Sequence, residues 1–157
     1  SGVDAIAVGS NHACALASGK VYCWGSNSYG ELGTRDSSAA NDEPSEVTGI
    51  DDATSVSAGV NATCVERRDH STVCFGNDLY GQIGSTLEVV PSKGPIAPDV
   101  GALKHVRTKG YHACGIRQDG AAICWGKNAS GELGLGTKSA APVVSLSPVQ
   151  PVRYVGR

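Results

Sequence analysis

The sequence has no methionine and a single phenylalanine among its 157 residues, so a core cannot be built around either. The apolar interior falls instead to Val, Ile, Leu, Ala and a few Tyr and Trp, a mixture that favours short strands and tight turns over long packed helices. No run of about 18 apolar residues occurs, which excludes a membrane-spanning helix and predicts no membrane insertion. Thirteen Lys and Arg stand against fifteen Asp and Glu, for a formal net charge of −2, and neither sign forms a dense block. Nucleic-acid binding leans on clustered cations that neutralise phosphates, so nucleic acid is set aside as a partner. The N-terminus lacks the basic, then apolar, then small-residue order of a signal peptide, as a trimmed mature chain also would.

Catalytic patterns are missing too. No Gly-x-Ser-x-Gly elbow appears, and nothing orients a Ser-His-Asp set. The Gly-rich stretch GELGLG lacks the strand-to-helix setting and the Gly-Lys-Ser/Thr of a phosphate loop. Glu31 and Glu132 recur in equivalent places, which marks them as edge residues rather than an acid/base pair. His70 and His105 match nothing else in the chain. The expectation is a protein that is not an enzyme and needs no cofactor or metal.

What the chain does have is glycine, at 21 residues nearly twice the usual share of about 7%, together with a repeat of about 50 residues. Cys14, Cys64 and Cys114 stand 50 apart. Cys23, Cys74 and Cys124 follow, each directly before an aromatic-Gly pair: Trp24-Gly25, Phe75-Gly76 and Trp125-Gly126. A Gly-x-[Leu/Ile]-Gly motif closes each unit at Gly33, Gly84 and Gly134. Within the first unit, Val3–Val8, His12–Ala17 and Lys20–Trp24 read as strands, with Pro44–Thr48 a weaker fourth. The stretches 26–42, 77–98 and 127–147 read as loops or weak strands. Ser18-Gly19 is a two-residue hairpin turn, and Gln118-Asp119-Gly120 fits a three-residue one.

Four antiparallel strands repeated every 50 residues predict an all-β fold of β-propeller blades. The blades span about 3–50, 53–102 and 103–151 of a single repeat domain covering 1–157, and 152–157 opens a fourth repeat. Closed propellers have about four to eight blades. Three therefore predict either a fragment of a longer protein or a ring completed by another copy.

The turn midpoints set the cysteine register. The midpoint of Cys14 and Cys23 falls between Ser18 and Gly19, and that of Cys114 and Cys124 falls on Asp119, so each pair faces across its own hairpin; Cys64 and Cys74 obey the same rule. Directly opposed residues of this kind come within range of a disulfide. Zinc needs four ligands converging on one point, usually from Cys-x-x-Cys knuckles, and a thioredoxin-like centre needs Cys-x-x-Cys at a helix start. Neither pattern is present. Three disulfides are the favoured reading, with six buried reduced cysteines the alternative; disulfides imply an extracellular, periplasmic or lumenal compartment. His12 and His112 are read as structural, each bonding backbone inside its blade. Asn61-Ala-Thr and Asn128-Ala-Ser are glycosylation sequons, meaningful only in a eukaryotic secreted chain.

On these residues the chain resembles the regulator of chromosome condensation repeat family. The pattern is carried by Gly9, His12, Leu16, Gly19, Trp24, Gly25, Gly30, Leu32 and Gly33, and again by His112, Ile116, Gly120, Trp125, Gly126, Gly131, Leu133 and Gly134. It departs from the family where Ala62 replaces His, Phe75 replaces Trp and Lys109 replaces Gly. The resemblance implies a propeller, seven-bladed in the best-known members, that acts as a non-enzymatic scaffold with protein-binding loops. Members include exchange factors for small GTPases, chromatin binders and secreted bacterial β-lactamase inhibitors. Cysteine pairs are not part of the general pattern and point to a secreted or surface variant of the bacterial kind. The expected function is a protein–protein interaction scaffold using loops on one face, in segments 34–43, 85–98 and 135–147. A guanine nucleotide exchange factor and a self-assembling structural subunit are the alternatives.

Overall fold

A computed structural model of the chain describes residues 2–34, 38–85, 92–98 and 100–143. Among these residues every regular element is a strand, and the strands form three four-stranded antiparallel sheets. The first blade is β1 (Ala5–Val8), β2 (His12–Ala17), β3 (Lys20–Ser26) and β4 (Ala40–Glu46); the second is β5 (Ala53–Ala58), β6 (Ala62–Arg67), β7 (Thr72–Gly76) and β8 (Ser92–Ile96). The third is β9 (Leu103–Lys109), β10 (His112–Arg117), β11 (Ala122–Asn128) and β12 (Ser139–Val143). In each sheet the strands lie in chain order, the meander of a propeller blade.

Turn chemistry fixes the hairpins. Ser18 and Gly19 both take positive φ, 51° and 81°, as a two-residue type I′ turn requires. In the third blade Gly120 (φ 86°) donates its N–H to the Arg117 carbonyl at 3.0 Å, closing the three-residue turn. His70 holds the equivalent place in the second blade at φ 66°, a conformation a side chain adopts at a cost. With these turns Cys14 pairs directly with Cys23, Cys64 with Cys74 and Cys114 with Cys124. The sulfurs lie 2.12, 2.09 and 2.08 Å apart, at bonding distance.

The outer strands were the least legible. β4 begins at Ala40, ahead of the expected Pro44–Thr48, and β8 and β12 lie within stretches read as loops or weak strands. An edge strand pairs on one side only, so it tolerates polar residues and proline. Here β4 takes in Asp42, Glu43 and Pro44, and its register shifts between Cys23 and Gly25.

Two apolar clusters lie between the blades rather than within them. Leu16, Val21, Leu32, Val47 and Ile50 of the first blade meet Val56, Val65 and Phe75 of the second. Ile83 and Val100 of the second meet Val106, Ala113, Ile123 and Trp125 of the third. One aromatic keys each interface. A Cβ added at Gly33 would lie 2.8 Å from the Phe75 ring, and one at Gly84 would lie 3.2 Å from Trp125 Nε1. The glycine of one blade is thus the socket for the aromatic of the next. Trp24 has no such neighbour among the described residues and stays half-buried. Beside it on the first blade's outward face, Ile6 and Val8 are 63% and 73% exposed.

Candidate functional site

In every blade the loop between the first and second strands (β1–β2, β5–β6, β9–β10) and the loop between the third and fourth (β3–β4, β7–β8, β11–β12) emerge at the same end. Backbone bonds Ser26 N–H to Asn11 O, Asn77 N–H to Asn61 O and Lys127 N–H to Tyr111 O (2.8, 2.8 and 2.9 Å) tie them together. At this end the Tyr80 and Tyr111 rings approach with centroids 5.0 Å apart and an interplanar angle of 57°. Lys127 places its ammonium 5.5 Å from both centroids, so one cation caps two aromatic faces drawn from two blades. Exposed Tyr29 (43%) and Leu79 (59%) lie on the same end, in the equivalent β3–β4 and β7–β8 loops. An open depression of about 310 Å³ lies between Gly9, Gly59 and Gly110, where the β1–β2, β5–β6 and β9–β10 loops converge.

Side chains beneath the patch tie down its loop backbone. Gln82 Oε1 accepts the Tyr80 N–H (2.9 Å) and Asn77 Oδ1 accepts the Leu79 N–H (2.7 Å). Glu31, fully buried, accepts the Ser26 hydroxyl and the Tyr29 N–H, both at 2.7 Å. A deeper clasp recurs in each blade: Asn27, Asp78 and Asn128 accept the N–H of Leu32, Ile83 and Leu133 at 3.2, 2.9 and 3.1 Å. In the first and third blades the amide also donates to Ser38 O and Thr137 O. A carboxyl group therefore stands in the second blade where its neighbours have an amide. Burial pushes Asp78 up to about 6, against the pull of the Ile83, Ser85 and Gly84 backbone N–H groups.

That exchange has a measurable consequence. The folded carboxyl keeps its proton above the ordinary 3.8, so stability is full below about pH 4 and falls as pH rises through about 6. The total loss is about 2–3 kcal/mol. Asp78→Asn should flatten urea-denaturation stability over that window and raise it at pH 7.5 by about 1–2 kcal/mol. The gain is smaller than the full loss because an amide nitrogen cannot accept a backbone N–H. An unchanged pH slope would refute the assignment.

His12 differs from expectation. Its Nε2 lies 2.8 Å from Thr63 Oγ1, a side chain of the next blade, rather than from backbone of its own. Thr63 gives its hydroxyl proton to the Glu31 carbonyl at 2.9 Å, which makes His12 the donor and fixes the Nε2–H tautomer. Burial lowers the His12 pKa, partly offset by Glu31, and keeps the ring neutral at pH 7. His112 is half-buried at the matching place on the third blade. The Asn128 sequon is closed by the fold: the side chain is buried with its amide on Thr137 O. Gly25, Gly76 and Gly126 lie against the β1–β2, β5–β6 and β9–β10 loops, where a Cβ would come within 2.5 Å of the Asn11, Asn61 and Tyr111 carbonyl oxygens.

Among the described residues no group of three or more His, Cys, Asp or Glu could hold a metal ion. Of the loops expected to bind a partner, residues 35–37, 86–91 and 144–147 lie outside the described residues, as does the segment 152–157. The Tyr80–Tyr111–Lys127 cluster was not foreseen from the sequence. Its signal was the exception to the repeat, Tyr111 and Lys127 standing where the other units have Asn11, Asn61, Ser26 and Asn77.

Comparison with known proteins adds the context. Two models, both described as the regulator of chromosome condensation (RCC1) repeat, match residues 18–65 and residues 3–31 and 104–132. The human "probable E3 ubiquitin-protein ligase HERC6" is 28% identical over 82% of this chain, and human "E3 ubiquitin-protein ligase HERC2" is 31% identical over 86%. The chain spans only 13% and 3% of those relatives. Among solved structures, Prp20p of Saccharomyces cerevisiae superposes with a TM-score of 0.80 at 21% identity, covering 96% of this chain and 39% of that one. Human WBSCR16 gives 0.76 at 21% identity, covering 93% and 37%. With the repeat models spanning most of its first half and recurring in its third blade, the chain belongs to the regulator of chromosome condensation repeat family.

Proposed function

We propose that the chain is a non-enzymatic protein-binding module of an oxidising compartment, secreted, periplasmic or at the cell surface. Its partner sits on the end that carries the β1–β2 and β3–β4 loops. The observation that carries this reading is the Tyr80–Tyr111–Lys127 cluster, with Tyr29 and Leu79 exposed on the same end. Aromatic side chains held by a rigid frame make anchors at low entropic cost, and a lysine capping them selects a partner with a carboxylate or carbonyl nearby. The three bridged pairs support the compartment, since they would not persist in a reducing cytosol. They also set the intracellular exchange-factor reading behind this one. The structural relative from yeast is described by its binding to Gsp1p and histones, which supports protein binding as the use of the fold.

Affinity capture from an extracellular fraction under non-reducing conditions, followed by titration of the purified partner, tests the surface. Tyr80→Ala and Lys127→Glu should each weaken binding by about 30-fold, as a hot-spot residue does. Lys20→Glu, at the opposite end of the first blade, should leave binding unchanged. The reverse pattern would move the site to the hairpin end. Intact mass under non-reducing conditions tests the compartment: six free thiols would overturn it.

A further inference from the structure

The loop end of the third blade departs from the repeat in one direction. Lys109 stands where the first two blades have Gly9 and Gly59, Tyr111 where they have Asn11 and Asn61, and Lys127 where they have Ser26 and Asn77. Each departure adds a cation or an aromatic ring. Lys138, in the loop leading into β12, adds a third lysine at this end. Lys109 and Lys138 are exposed and Lys127 is half-buried, and none of the three has a carboxylate at ion-pair distance among the described residues. Three cations away from this end are matched: Lys20 lies 3.0 Å from Glu46, Arg67 2.6 Å from Asp52 and Arg107 3.7 Å from Glu66. Glu132 is the one described carboxylate of the third blade at the loop end, and it accepts the Ser130 N–H at 2.7 Å. Positive charge is therefore left unmatched here.

Apolar surface adjoins that charge. Val8, Ala58 and Val60 line the depression between Gly9, Gly59 and Gly110, and Lys109 stands in its wall. Lys127 is tied to the same loop, its N–H donating to the Tyr111 carbonyl at 2.9 Å. An opening of about 310 Å³ has room for an apolar side chain beside the two lysines. An acidic glycan or a nucleic acid would satisfy the lysines but leave the apolar walls uncovered. We propose that this end receives an acidic segment of a protein partner, with an aliphatic or aromatic side chain in the depression and flanking carboxylates on Lys109 and Lys127. The inference rests on the reading of this end as the partner surface and adds the chemistry of what binds there. Charge at the rim sets specificity and speeds encounter, while the buried apolar side chain supplies the anchor.

A display library of random linear peptides, selected against the intact oxidised chain, tests it. Enriched sequences should place Asp or Glu beside Leu, Ile, Phe or Trp. Synthetic copies should bind about 10-fold more weakly at about 300 mM salt than at about 50 mM. Lys109→Glu and Lys127→Glu should each weaken binding about 10-fold, Lys109→Arg should retain it, and Lys20→Glu should leave it unchanged. Uncharged or basic winners that still lose affinity on Tyr80→Ala would overturn the acidic partner and leave the surface standing. Winners indifferent to Tyr80→Ala, Lys109→Glu and Lys127→Glu alike would overturn both. A library with no enrichment, or chondroitin sulfate binding that a selected acidic peptide does not displace, would overturn a peptide as the occupant.

Discussion

Reducing all three cysteine bridges is expected to unfold the chain at 37 °C, the largest single effect foreseen here. Each bridge spans 9 or 10 residues of sequence, and closing a loop of that size stabilises a chain by about 2–3 kcal/mol. Together they contribute about 6–9 kcal/mol, against a net stability of about 5–15 kcal/mol for an ordinary domain. Few aromatics and no methionine leave little else to absorb the loss. The bridges should also open in order. Cys14, Cys23, Cys64 and Cys74 lie within the interfaces between blades, while Cys114 is half-exposed on the outward face of the third blade. Graded reductant followed by alkylation and peptide mapping should find Cys114 and Cys124 labelled first, and circular dichroism should show strand signal lost only as the other pairs open. A reduced chain that melts where the oxidised one does, or early labelling of Cys14, would defeat this account.

The difference between what the sequence made legible and what it did not follows from how far apart the partners lie. Within a hairpin the turn sets the register, so Ser18-Gly19 alone puts Cys14 opposite Cys23, and the alternation of small and apolar residues marks β2 at His12–Ala17. The repeat then carries that reading to the other two blades. Contacts between blades have no such local signal. His12 and Thr63 are 51 residues apart, and Trp125 reaches the Gln82 carbonyl across 43. The repeat says that two positions are equivalent but not which side of the sheet each faces. For that reason the sequence pattern alone points His12 to backbone of its own blade, whereas its place on β2 turns it toward Thr63 of the next. The outer strands escaped for a different reason: with one neighbour, β4 can be Asp42, Glu43 and Pro44 and still pair, so neither alternation nor propensity announces it.

Each interface can be read as a lock in which the following blade supplies the key. That view makes the aromatic positions energetically unequal although the sequence writes them alike. Phe75→Ala and Trp125→Ala should each cost about 3–5 kcal/mol in chemical denaturation, since each ring is fully buried against a glycine. Trp125 stands at the upper end because its indole N–H also bonds the Gln82 carbonyl at 3.1 Å. Trp24→Ala, in the same motif but half-buried on an outward face, should cost about 1 kcal/mol or less. The socket can be tested from its other side. Gly33 sits at φ 64° and a Cβ there would meet the Phe75 ring at 2.8 Å, so Gly33→Ala combines about 1–2 kcal/mol of backbone strain with an overpacking cost of about 1–3 kcal/mol. In a Phe75→Ala background the ring is gone and only the backbone part remains, so the two substitutions should be less than additive by the overpacking amount. Strict additivity, or an equal cost for Trp24→Ala and Trp125→Ala, would mean that the blades are held together by something other than this contact.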